Sequence, residues 1–118
     1  MASRRKEQQE DAKLRVMQII NTNNQLTSRQ IAQKVGISNG SAYYLLTSLI
    51  EKGFVKLSNF KENSNKVKYT YLLTPKGIRE KSLLTSSFLI RKKEEYKALK
   101  DEINFLEKIS GDVLEGNE

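Results

Sequence analysis

The chain has 118 residues, no cysteine, no histidine and a formal net charge of +7. That length supports one domain with an appendage and a core of limited size. The missing cysteines exclude a disulfide framework and thiolate metal sites, and the missing histidines remove the commonest general base and transition-metal ligand.

No apolar run approaches the roughly 20 residues needed to span a bilayer. The opening "MASRRKEQQEDAK" lacks the apolar stretch of a secretory signal. A cytoplasmic protein without a membrane partner is expected. The charge is unevenly placed. In residues 28–74, seven basic side chains stand against Glu51 and Glu62, a net +5. Residues 1–27 carry five basic and three acidic side chains, and residues 75–118 nine of each. A basic excess on the part that reads as globular suits a polyanionic partner. A merely solvated basic surface would give the same isoelectric point.

In chain order, residues 1–8 are polar and read as a flexible, frayed start. "EDAKLRVMQIINTN" follows, with Leu14, Met17, Ile20 and the flanking Val16 at helical spacing. In "LTSRQIAQKVG", Thr27 and Gln30 fit a capping box, Ile31, Ala32 and Val35 make an apolar face, and Gly36 suits a left-handed cap. "ISNGSAYYLLTSLIEKGF" is a third helix with Ser38 as N-cap, an inner stripe of Ala42, Leu45, Leu46 and Leu49, and Gly53 at its end. Strands are expected near Val55–Phe60 and Lys66–Leu73, joined by a polar tip. Thr74 and Pro75 then open a helix running to about Ile109, with Gly77 and Thr85-Ser86-Ser87 as points where it could bend.

Helix, helix, helix, hairpin is the order of a winged helix-turn-helix domain. The expected fold is therefore mainly α with a small β-hairpin. A flexible start spans 1–8, the winged domain 9–74, and a long C-terminal helix 75–118 with a frayed end. Ala32, Gly36, Ala42 and Leu45 are spaced to let two short helices cross closely.

With its stripe facing inward, the third helix turns Gly40, Tyr43, Tyr44 and Thr47 outward, with Ser41 and Ser48 on the flanks. Such a surface suits entry into the major groove of DNA. Gly40 allows close approach. Ser38, Ser41 and the first-turn amides can reach phosphate. Tyr43, Tyr44 and Thr47 can touch base edges or thymine methyls, and Asn39 is the candidate for bidentate base reading. Alternatively, Tyr43 or Tyr44 packs against the hairpin or a partner subunit. Thr27 and Arg29, at the start of the second helix, complete the contacts expected from this motif.

At the hairpin tip, Lys61, Lys66 and Lys68 supply charge for flanking DNA, while Asn63 and Asn65 supply donors or serve only as turn formers. Tyr69, Tyr71 and Leu73 alternate with Lys68, Thr70 and Leu72, so one face belongs to the core.

The run "IEKGFVKLSNFKENSNKVKYTYLLTPKGIREK" resembles a compact branch of the MarR family, the exopolysaccharide-associated (EPS-associated) transcriptional regulators. The resemblance covers roughly residues 12–108. Its most distinctive part is Asn59-Phe60, Asn65-Lys66 and Tyr69 to Ile78. It implies a bacterial, dimeric, winged-helix DNA-binding regulator with the third helix as recognition helix. Larger MarR-type proteins build a helical dimer domain from both chain ends and often hold a ligand pocket beneath it. Here one C-terminal helix must form that domain, and no small-molecule effector or cofactor is named by any motif.

Heptad spacing along that helix places Leu89, Lys92, Tyr96, Leu99, Ile103, Leu106 and Val113 on one seam, a homodimerisation surface of coiled-coil type. A helix folding back over its own domain is the alternative. Leu83, Leu84 and Phe88, upstream, are placed to pack on the first helix.

Other classes fare less well. Glu51 and Glu62 are the only acids between residues 12 and 79, so no close carboxylate pair is available for acid–base catalysis. No histidine activates a serine, and no glycine-rich phosphate loop is present. The chain is not expected to be an enzyme. A winged-helix adaptor that binds proteins remains the alternative function, and RNA binding would lack the usual aromatic platforms.

Overall fold

The computed structural model describes residues 2–62 and 66–116, and the side-chain surroundings of 4–58 and 70–111. The order is α1 (Ala2–Thr22), α2 (Ser28–Val35), α3 (Asn39–Glu51), β1 (Val55–Glu62), β2 (Lys66–Leu73) and α4 (Pro75–Gly116). It divides into two compact units, Met1–Thr85 and Ser86–Glu118. No helix among the described residues is long and apolar enough to cross a membrane.

α1 starts well before the expected boundary. Residues 1–8 read as a frayed arm, yet the helix reaches back to Ala2. The stretch has no Gly, Pro or β-branched residue, and its Ala, Arg, Lys, Glu and Gln are strong helix formers. The core-facing stripe ends earlier, because only Leu14, Val16, Met17 and Ile20 are buried.

α2 is set at both ends by local chemistry. The Thr27 hydroxyl accepts from the Gln30 amide at 3.1 Å, and the Gln30 side chain accepts from the Thr27 amide at 2.9 Å. Two orphan donors of the first turn are thereby satisfied. At the other end Gly36 adopts φ 80°, and its amide bonds to the Ala32 carbonyl. A side chain in that left-handed conformation would cost roughly 1–2 kcal/mol. α2 and α3 meet through small residues, Ala32 and Ala42, both fully buried.

The core joins Val16, Met17 and Ile20 of α1, Ile31 and Val35 of α2, Leu46 and Leu49 of α3, and Phe54 and Val55 entering β1. Leu45, Tyr71, Leu73 and Leu84 pack on it in part. Burying each large aliphatic side chain contributes roughly 1.5–3 kcal/mol. Of the three residues expected to pack on α1 from upstream of the heptad seam, Leu84 joins this core, whereas Leu83 is exposed.

β1 and β2 form an antiparallel hairpin in register Val55↔Leu73 through Glu62↔Lys66, so β1 runs two residues beyond the expected Phe60. Val55, Tyr71 and Leu73 pack on the core from one face, and Leu57, on the same face, is exposed. Thr70, one residue out of phase, is nevertheless buried, and its hydroxyl has no partner among the described residues.

The start of α4 locks the wing to the end of α3. The Thr74 hydroxyl accepts from the Gly77 amide at 3.0 Å and donates to the Gly53 carbonyl. Lys76 Nζ donates to the Lys52 carbonyl at 2.9 Å, a cation at the C-terminus of α3. The Phe54 ring lies beneath Lys13 at 4.7 Å and Lys76 at 5.2 Å, and Lys13 also reaches Glu80 at 3.6 Å. Gly77 is required here, because a Cβ would overlap the Phe54 carbonyl oxygen. It reads from sequence as a bend point; its role in the fold is close packing. α4 extends to Gly116, past the expected end near Ile109.

Candidate nucleic-acid interface

α3 presents two unlike faces. Ala42, Leu46 and Leu49 are buried, while Leu45 is half-buried. Opposite them, Tyr43 and Tyr44 are 67% and 77% exposed. Phenols with this much apolar ring in water are unusual for a plain solvated helix, since each ring could otherwise bury about 150 Å² or more. Neither is packed away in the single chain. Thr47 is half-buried rather than fully outward.

The first turn of α3 is prepared for an acceptor. Ser38 caps it, its Oγ accepting from the Ser41 amide at 3.1 Å and donating to Ser41 Oγ at 2.8 Å. One hydroxyl proton is used in that bond, which leaves the other of the pair for an outside acceptor. Asn39 and Gly40 are exposed beside it. A Cβ built at Gly40 meets nothing within 4 Å, so the fold itself does not require glycine there.

Thr27 and Arg29 are exposed at the start of α2. Thr27 is engaged in the capping box but keeps its own hydroxyl proton. Lys61, Lys66 and Lys68 lie in the paired strands, and their side chains fall outside the described surroundings. Asn63 and Asn65 lie outside the described residues altogether. Burial pushes the Tyr71 phenol above its usual value, and the Tyr43 phenol adds to the shift.

One group of residues near this face goes beyond the sequence expectation. The N-terminal half of α1 and one flank of α3 wall an open groove of about 760 Å³, with Arg5, Lys6 and Gln9 on one side and Gly40, Ser41 and Tyr44 on the other. The "SRRK" cluster is plain in the sequence. A frayed residue 1–8 segment would detach it from any surface, whereas a helix fixes it against one.

In the second unit, Leu89, Tyr96, Leu99, Ile103 and Leu106 of the heptad seam are all exposed, between 45% and 68%. Within the seam, Lys92 pairs with Glu95 at 3.0 Å and lies over the Phe88 ring. Ile90, Phe105 and Ile109 are also exposed, off the seam. Val113 falls outside the described surroundings.

A family model described as winged helix-turn-helix DNA-binding matches residues 9–56. Several solved structures share the fold. A PadR-like transcriptional regulator from Bacillus cereus is 16% identical with a TM-score of 0.66, over 74% of this chain and 89% of that one. A mutant of MepR from Staphylococcus aureus is 18% identical with a TM-score of 0.60, over 90% of each chain. FabT from Streptococcus pneumoniae, solved in complex with DNA, is 18% identical with a TM-score of 0.52, over 86% of this chain and 75% of that one. At these identities the likeness is one of fold, a winged helix-turn-helix with a long C-terminal helix. No curated protein matches the chain.

Proposed function

We propose that this chain is a dimeric regulator of transcription of the MarR type, binding duplex DNA in the bacterial cytoplasm through α3. Residues 9–74 form the reading domain and 75–118 the dimerisation helix. The observation that carries the reading is the outward face of α3. Tyr43 and Tyr44 are exposed, and Gly40 is open on a helix whose other face buries Ala42, Leu46 and Leu49. The match of residues 9–56 to a DNA-binding family model supports it, as does the net +5 on residues 28–74.

In this reading Asn39, Tyr43, Tyr44 and Thr47 face base edges. Thr27, Arg29, Ser38, Gly40 and Ser41 fit against the backbone. Lys61, Asn63, Asn65, Lys66 and Lys68 carry the wing along flanking DNA. Leu89, Tyr96, Leu99, Ile103 and Leu106 join two copies, so that two recognition helices meet half-sites about 34 Å apart. The protein acts by binding alone. The narrower placement among exopolysaccharide-associated regulators rests on residues 59–78.

Selection of duplexes from a random library, followed by salt titration on the selected site, random DNA and duplex RNA, tests the reading. A recovered two-half-site sequence that binds more tightly than random DNA is expected. Enrichment of no sequence, or equal binding to RNA, would leave the adaptor function in its place.

A further inference from the structure

Beyond the contacts of α2, α3 and the wing, we propose that the N-terminal turns of α1 are a second phosphate clamp, with Arg5 and Lys6 gripping the DNA backbone that runs beside α3. The inference rests on the DNA-binding reading above and adds a surface to it.

Three observations carry it. α1 is helical from Ala2, so its basic cluster has a definite position. Arg5 and Lys6 line the same groove as Gly40, Ser41 and Tyr44 of α3. Lys52 lines it as well, and Glu10 is the one acid in the lining. Among the described residues, Arg5, Lys6 and Lys52 have no ion-pair partner, whereas Lys13, half-buried, is committed to Glu80 and the Phe54 ring. The three unpaired cations are exposed and the paired one is half-buried. That arrangement fits a polyanion passing along the groove better than a small anion enclosed within it.

The chemistry matches a phosphodiester strand. The planar Arg5 guanidinium can take two oxygens of one phosphate, and the Lys6 ammonium acts as a point charge on a neighbour. Ser41 offers its hydroxyl from the opposite wall. A strand held from both sides would set the depth and angle at which α3 enters the groove, without reading bases itself.

The test uses the full-length protein with Arg5→Ala and Lys6→Ala together. Alanine preserves helix propensity, and circular dichroism confirms that α1 persists. Wild type and variant are titrated on the selected site and on random duplex over a range of salt. The variant is expected to lose affinity by a similar factor on both DNAs. Its log–log salt slope should flatten by roughly 0.9 for each phosphate that is no longer neutralised. Ethylation interference gives the position: phosphates beside the major groove that block wild type when ethylated should no longer matter to the variant. A variant with unchanged slope and an unchanged interference pattern, when wild type binds DNA, overturns the clamp alone. Loss confined to the selected site also overturns it, since that would mean base reading. Failure of wild type to bind any duplex overturns the parent reading instead.

Discussion

Gly40 and Gly77 both lie in helices, where alanine is favoured over glycine by about 1 kcal/mol in helix interiors, yet they should respond oppositely to it. At Gly77 a Cβ overlaps the Phe54 carbonyl oxygen and comes within 2.9 Å of its carbon. Backbone cannot swing aside as a side-chain tip can. Gly77→Ala should lower stability by roughly 1–3 kcal/mol, the usual range for overpacking, despite the helical gain. Thermal unfolding reads this directly, and an unchanged midpoint would mean that α4 and the Phe54 backbone approach each other less closely in solution. At Gly40 nothing lies within 4 Å. Gly40→Ala should unfold no earlier than wild type and yet bind its site more weakly, by about 1 kcal/mol or more. If the alanine variant binds as tightly as wild type, the duplex does not approach α3 at that turn.

At the scale of elements, α3 is where stability and recognition separate most cleanly. Replacing Tyr43, Tyr44 or Thr47 with alanine should cost about 1–3 kcal/mol on the preferred site and less on random DNA. Thr47 should show the smallest effect, because it is half-buried. Equal losses on both DNAs, with folding intact, would remove these side chains from the set of readers. Much of this element is legible in the sequence, because its determinants are local. A cap such as Ser38 or Thr27 and a left-handed terminus such as Gly36 act within four residues, so spacing reveals them. What escapes the sequence depends on distant chain. Gly77 reads as a weak helix former until Phe54 is placed against it. Thr70 reads only as one member of two alternating faces until the packing around β2 buries it. Arg5 and Lys6 lie on a helix with no apolar stripe at that end, so periodicity is silent about them. Only proximity to Ser41 and Tyr44 gives them a role.

For the whole molecule, the question is what covers the exposed stripe of α4. Leu99, Ile103 and Leu106 are 55%, 45% and 55% exposed in the single chain, and they recur three and four residues apart. The heptad pattern is legible in the sequence alone. Exposed Ile90, Phe105 and Ile109 are not part of it, since they fall outside a two-stranded seam. On the proposed reading the occupant is a second copy, since two half-sites call for two recognition helices. Replacing Leu99 and Ile103 with glutamate should therefore dissociate the dimer while leaving residues 9–74 folded, because no residue of that core cluster lies beyond Leu84. DNA binding would then depend on one half-site, without the gain of roughly 10²–10⁴ that linking two modules provides. Sedimentation and operator titration of the same variant should change together. If the variant still sediments as a dimer, the interface lies off this seam, with Ile90, Phe105 and Ile109 the next residues to substitute. If it becomes a monomer with undiminished affinity, then one α3 and one wing account for all of the binding, and the two-half-site arrangement is wrong.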